Sequence, residues 1–216
     1  MKFLLFPLLV LLQVQIIFSE ECACKDTSND RPDPEELIPP EFRSVEERPV
    51  IDSSLKFQNH RGHLIELVPQ DNQVTCVSFF YTRCVNPNKC SAAIKTLHKL
   101  SLEVSKRGLS DKIKVYGITY TPEVDTESVM SSYLKSLGID DASGLELIRL
   151  VDCDPLSSSK LRSSFELKAS FDSTKVSIHR IQLNVLDSSN RTAAIFDTTI
   201  WDNDRVIDYI LTLLEE

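Results

Sequence analysis

Glycine is scarce in this chain, five in 216 residues, and none cluster into a loop that could cradle phosphate. That argues against nucleotide binding. Positive charge is short as well: 24 Lys and Arg stand against 32 Asp and Glu, a formal net charge of −8. An acidic chain with dispersed basic residues is a poor partner for a phosphate backbone, so nucleic acid is not an expected ligand. No arginine precedes Arg31, which argues against a mitochondrial presequence. The apolar run at 3–18 is shorter than the roughly 20 residues of a typical spanning helix. No internal repeat is present.

What the N-terminus does have is one lysine, that apolar run, and small residues near Ser19. This is the pattern of a secretory signal peptide over 1–19, or of an uncleaved anchor whose residues 3–18 tether the domain to a membrane. The expected location is exported: periplasmic or otherwise extracytoplasmic. Residues 20–50 are charged and carry Pro32, Pro34, Pro39, Pro40 and Pro49, as an extended linker does. They also hold Cys22 and Cys24, a tail pair to which no role is assigned.

From residue 51 the pattern is globular. Residues 57–68 suggest a β-hairpin turning at His60-Arg61-Gly62, with Gly62 free to take positive φ. His60 and His63 are expected there as solvated side chains rather than ligands. The run 74–81 is apolar and rich in β-branched and aromatic residues, the pattern of a strand buried on both faces, and makes Cys76 an inert core thiol. Cys84 follows in a polar turn. Cys90 then opens a helix whose apolar face carries Ala93, Leu97, Leu100 and Val104. A helix N-terminus lowers a thiol's pKa, so a strand, a loop cysteine and a helix-start cysteine form a candidate redox or metal site.

A strand over 112–120 and a helix over 122–137 come next. Val129, Tyr133 and Leu137 lie on one stripe of that helix, Met130 and Leu134 lie beside it, and Gly138 stops it. A third core strand spans 145–151. Asp154 and Pro155 then start a helix bearing Leu156, Leu161 and Phe165. Cys153 in the intervening turn is expected to be half-buried and unpaired. Residues 176–186 alternate as one strand holding His179, turn at 187–190 and return over 192–196. Asp202 caps a last helix with Val206, Ile207, Ile210, Leu211 and Leu214 on its apolar face. Asn190-Arg191-Thr192 is a glycosylation sequon in any host that exports through an endoplasmic reticulum. The element order implies an α/β fold: a thioredoxin-like three-layer sandwich over 51–216 with an extra N-terminal β-hairpin.

Four stretches in this order resemble the Sco/SenC family of copper proteins. They are Val77-Ser-Phe-Phe-Tyr-Thr-Arg-Cys84, Val115-Tyr-Gly-Ile-Thr-Tyr-Thr-Pro-Glu-Val-Asp-Thr126, the helix closing on Leu137-Gly138, and Val176-Ser-Ile-His-Arg-Ile-Gln-Leu-Asn-Val-Leu-Asp187. The resemblance implies that Cys84, Cys90 and His179 bind one copper ion, Cu(I) or Cu(II). It also implies delivery of copper to cytochrome c oxidase or a related cuproenzyme, or reduction of that target's cysteines, with a thioredoxin-like protein as reductant. Two thiolates and an imidazole suit Cu(I) on chemical grounds too. This chain departs from the family in its C-x₅-C spacing against the usual C-x₃-C. Val85 and Ser91 stand where the family has prolines, Thr121 stands where it has an aspartate, and Ile178 stands where an acidic residue often precedes the histidine.

Two other readings fit the same residues. Cys84 and Cys90 could form the redox pair of a copper-independent thiol-disulfide oxidoreductase, with Cys84 the attacking thiol. Alternatively, a Cys84–Cys90 disulfide could simply brace a loop in a binding module.

Overall fold

A computed structural model describes residues 39–216 except Pro69, Lys168, Ser173 and Thr174. The expected leader, most of the linker, and Cys22 and Cys24 lie outside the described residues. In chain order the strands and helices begin with β1 (Glu41–Phe42), β2 (Lys56–Asn59), β3 (Leu64–Glu66), β4 (Val74–Phe80), α1 (Ala92–Lys106) and β5 (Ile113–Thr119). They continue with α2 (Glu127–Ser136), β6 (Leu145–Leu150), α3 (Pro155–Ser164), β7 (Ala169–Asp172), β8 (Lys175–His179), β9 (Leu183–Leu186), β10 (Thr192–Phe196) and α4 (Asn203–Leu213). Among these, eight strands form one sheet in the order β1-β10-β9-β4-β5-β6-β2-β3, while β7 and β8 pair separately.

The centre of the sheet is parallel. β4 runs beside β5 from Val74↔Ile113 to Phe80↔Thr119, and β5 runs beside β6. Parallel neighbours need a crossover, and α1 and α2 supply them. Alternation along β4 sends consecutive side chains to opposite faces. Phe80 stacks on Tyr133 of α2 at 5.7 Å between ring centroids, whereas Phe79 meets Phe165 at the end of α3 at 5.1 Å. Helices therefore cover both faces, and the fold is the expected α/β three-layer sandwich. Six of the seven β4 residues are buried, Cys76 among them at 0% exposure, and desolvation pushes that thiol up to about 12. No helix among the described residues is long and apolar enough to cross a membrane.

The hairpin β2–β3 turns where expected, with Gly62 at φ +86°, and its β2 strand extends the sheet beyond β6. His60, however, is not solvated. It is 3% exposed; its backbone N–H donates to Leu147 O at 2.8 Å and its Nδ1 accepts from Leu147 N at 3.3 Å. The turn lies against the β6 backbone, so His60 closes that edge, while His63 is exposed as expected.

Several other features differ from the sequence pattern. Residues 41–50, inside the stretch expected as linker, lie against the sheet: β1 pairs with β10 and Val50 bridges to Arg191. The alternating run 176–186 is two strands, because β8 pairs with β7 while β9 pairs with β4 and β10. Alternation cannot distinguish one long strand from two short ones in different sheets. On α2 the buried residues are Met130 and Leu134, and on α4 they are Val206, Ile207, Ile210 and Leu213, so Leu211 faces outward. Leu156 is 66% exposed at the start of α3. Cys153 is exposed and unpaired rather than half-buried. Asn190 of the sequon adopts φ +58° and is buried, its Nδ2 donating to Leu67 O at 2.7 Å.

Candidate metal centre

The centre forms where β4 and β5 end. After β4 the chain makes a turn in which Cys84 N–H donates to Tyr81 O at 3.3 Å. The Asn86 side chain accepts from Asn88 N at 2.9 Å, and Pro87–Ser91 then forms a wide helical turn broken at Lys89, which sits at φ −110° and ψ −107°. That turn folds the five intervening residues back and delivers Cys90 to the lip of α1. Cys90 is fully buried, and Cys84 is half-buried beside it.

His179 arrives from the other side, as the last residue of β8, paired with Ala169. It is 7% exposed, and its ring meets Tyr81 and Tyr120 edge-on at 5.2 and 5.9 Å. Tyr120 OH also donates to Arg180 O at 3.2 Å and so ties down the backbone next to the histidine. His179 Nε2 lies 3.4 Å from Cys90 Sγ and 4.0 Å from Cys84 Sγ, and the three ligand atoms all fall within 4.8 Å of one another. Among the described residues this is the group of His, Cys, Asp or Glu side chains able to hold a metal ion.

The two thiols are electrostatically unlike. A hydrogen bond from Cys90 holds Cys84 well below the ordinary thiol range, with the contact to His179 adding to it. The contact with Cys84 and burial push the Cys90 thiol up. The pair thus shares one proton, which resides on the buried sulfur.

Beneath the loop sits Asp125, fully buried. Its carboxylate accepts from the hydroxyls of Thr82 at 2.5 Å, Thr121 at 2.9 Å and Thr119, and from Thr82 N at 3.3 Å. Thr82 is two residues from Cys84, so Asp125 fastens the cysteine loop to the end of β5. Thr121, where an aspartate was expected from the resemblance, is one of its donors. Ser91 and Tyr133 hydroxyls lie 3.3 Å apart on the helix side.

Sequence reasoning singled out Cys84, Cys90 and His179, and the structure brings their side chains together. It missed Tyr81, Tyr120 and Asp125's hydroxyl cradle. A signal was present: β4 and β5 both run into Tyr-Thr, at Tyr81-Thr82 and Tyr120-Thr121. Because Phe80 lies opposite Thr119, the repeated dipeptides end up side by side, the tyrosines around His179 and the threonines on Asp125.

Fold and site together define a thioredoxin-like domain in which two sulfurs and one imidazole converge as a candidate metal centre. The SCO1/SenC family profile matches residues 43–215, and the chain belongs to that family. Among solved structures it is similar to BsSco, described as a member of the Sco family of cytochrome c oxidase assembly proteins with a disulfide switch. That likeness has 12% identity and a TM-score of 0.63, covering 78% of this chain and 95% of that one. It is also similar to a SCO1/SenC family lipoprotein of Bacillus anthracis, at 15% identity and TM-score 0.63, covering 79% and 99%. Bradyrhizobium japonicum ScoI, solved with copper bound, matches at 20% identity and TM-score 0.53, covering 74% and 96%. At these identities the likeness carries the fold. No curated protein sequence matches the chain.

Proposed function

We propose that this chain is an extracytoplasmic copper-handling protein. Cys84, Cys90 and His179 take up one Cu(I) and pass it to a cuproenzyme such as cytochrome c oxidase, or keep that target's cysteines reduced. The observation that carries this reading is the convergence of two sulfurs and one imidazole nitrogen within 4.8 Å. The donor set fits: thiolate and imidazole are soft enough for Cu(I), and three ligands leave an open position for an acceptor's ligand. Cys84 is already held as thiolate, while Cys90 must release its proton on binding, so uptake strengthens with rising pH. The Tyr81 and Tyr120 rings fix the orientation of the imidazole and shield it from water. The exported location rests on the leader pattern at 1–19, and the lipoprotein of similar fold agrees with it.

Metal analysis and X-ray absorption on the reduced chain test the ligand set. About one copper with two sulfur ligands and one nitrogen ligand is expected. Competition with a Cu(I) chelator should show at least roughly tenfold weaker binding for His179→Ala, in the range that loss of metal-site groups commonly costs. An unchanged affinity removes His179 from the site.

A second reading is supported by the asymmetry of the thiols. A half-exposed thiolate beside a buried thiol is the arrangement of an attacking and a resolving cysteine. In a copper-independent thiol-disulfide oxidoreductase, Cys84 would attack a target disulfide and Cys90 would then close the Cys84–Cys90 bond. Metal-free reduction of insulin disulfides, lost in Cys84→Ser, distinguishes this activity.

A further inference from the structure

Each of the three ligands has a basic residue as its immediate neighbour: Arg83 before Cys84, Lys89 before Cys90, and Arg180 after His179. All three are exposed. Because the ligand atoms sit within 4.8 Å of one another, the three chain segments that carry these exposed cations meet at the site. Arg83 and Lys89 make no ion pair among the described residues, and Arg180 pairs with Asp197 at 2.9 Å. Val85, which lies between Arg83 and Lys89 in sequence, is 68% exposed. This local positive charge sits on a chain of net charge −8. Exposed acids return in the next loops, Glu123 after β5 and Asp152 and Asp154 after β6.

We propose that these exposed cations form a docking surface for a protein whose acceptor cysteines are set in an acidic patch, a role that rests on the transfer function proposed above. Opposite charge at the site steers the partner's acidic patch onto the ligand side, while the protein's overall charge repels acidic surfaces elsewhere. The effect belongs to the encounter step and is screened by salt.

The test uses the reduced, metal-free full chain carrying Cys22→Ser, Cys24→Ser and Cys153→Ser, so the site's own thiols give the signal and copper binding is not required. The probes are two synthetic peptides, identical except that a single cysteine is flanked by glutamates in one and lysines in the other. Each cysteine is blocked as a thiopyridyl disulfide. A cysteine thiolate attacks the peptide sulfur, a new S–S bond forms, and the probe's S–S bond breaks to release thiopyridone. The second cysteine, losing its proton to solvent, then attacks that mixed disulfide, leaving Cys84–Cys90 and freeing the peptide thiol. Two electrons pass from the pair to the probe, and thiopyridone absorbance gives the rate.

At an ionic strength of about 0.01 M the glutamate peptide should react roughly tenfold faster, with the preference fading by about 0.5 M. Arg83→Gln with Lys89→Gln should remove most of the preference while leaving the Arg180–Asp197 pair in place, and adding Arg180→Gln should remove the rest. Lys106→Gln with Lys112→Gln, at the opposite end of α1 and the start of β5, should leave it unchanged. The net charge alone demands the reverse order, with the lysine peptide faster. That order, equal rates, or the same loss from the remote pair would overturn the docking role. Absence of Cu(I) binding with the peptide preference intact would instead overturn the copper reading alone.

Discussion

Cys84 and Cys90 are chemically unequal even though the sequence presents them as a pair. One is half-exposed and held as thiolate; the other is buried and keeps the proton. The folded-state pKa of Cys84 is depressed, so its contribution to stability is present above the ordinary thiol range and declines as pH falls through the lowered value. Over about pH 5 to 8 the unfolded chain binds a proton at Cys84 that the folded chain does not, so this group makes stability rise with pH. Thiolate absorbance of the reduced protein should therefore persist at neutral pH and vanish in Cys84→Ser. A pH titration of that absorbance, alongside urea midpoints, checks both statements. Asp125 matters differently, as the acceptor that holds Thr82 in place. Asp125→Ala leaves two buried hydroxyls, Thr119 and Thr121, and the half-buried one of Thr82 without this acceptor, and a loss of about 1–3 kcal/mol is expected. Urea unfolding measures the loss, and a weaker Cu(I) affinity in the surviving folded fraction would show that the loop it fastens carries Cys84.

At the level of elements, the centre of β5 is crowded by side chains of β6 and α1, which leave little room for a Cβ at Gly117. A Cβ on Gly117 would stand 2.6 Å from Leu147 Cδ2 and 3.0 Å from Ile94 Cδ1. Gly117→Ala should cost about 1–3 kcal/mol by overpacking. Because Ile94 belongs to the helix that Cys90 precedes, Cu(I) affinity should fall along with thermal stability, which chelator competition and calorimetry would show. The β9–β10 turn depends on Asn190 in a different way, through a left-handed backbone and the hydrogen bond to Leu67. β7 and β8 form a hairpin outside the main sheet, so His179 meets the central strands through ring contacts with Tyr81 and Tyr120 at their ends rather than through strand pairing.

Over the whole molecule, the segment before β2 is secured by Arg48, whose side chain is 4% exposed. Its guanidinium donates to Asp187 at 3.1 Å and to Glu216 at 2.6 and 3.0 Å, joining the N-terminal segment, the β9–β10 turn and the C-terminus. Breaking a buried pair costs about 3–5 kcal/mol, but Arg191 still faces Asp187 at 3.0 Å, so Arg48→Ala should fall at or below the lower end. A thermal melt reads this loss, and the Cu(I) stoichiometry should not change because the network is remote from the site. Copper itself should raise the melting temperature by mass action, about 2.7 kcal/mol at a free concentration near 100 times the dissociation constant. His179→Ala should lose most of that gain.

The sequence by itself determined the local features: the buried β4 run, the helix after Cys90, the turn at Gly62, and the three residue types suited to a soft metal. Each depends on periodicity or side-chain chemistry within a few neighbours. The tertiary structure alone decided what depends on distant segments meeting. It buried His60 against Leu147, split the alternating run after β8, folded residues 41–50 onto β10, and set Asp125 under the cysteine loop. It also closed a C-x₅-C interval onto His179, because a helical turn broken at Lys89 reverses the chain where spacing alone leaves the separation open.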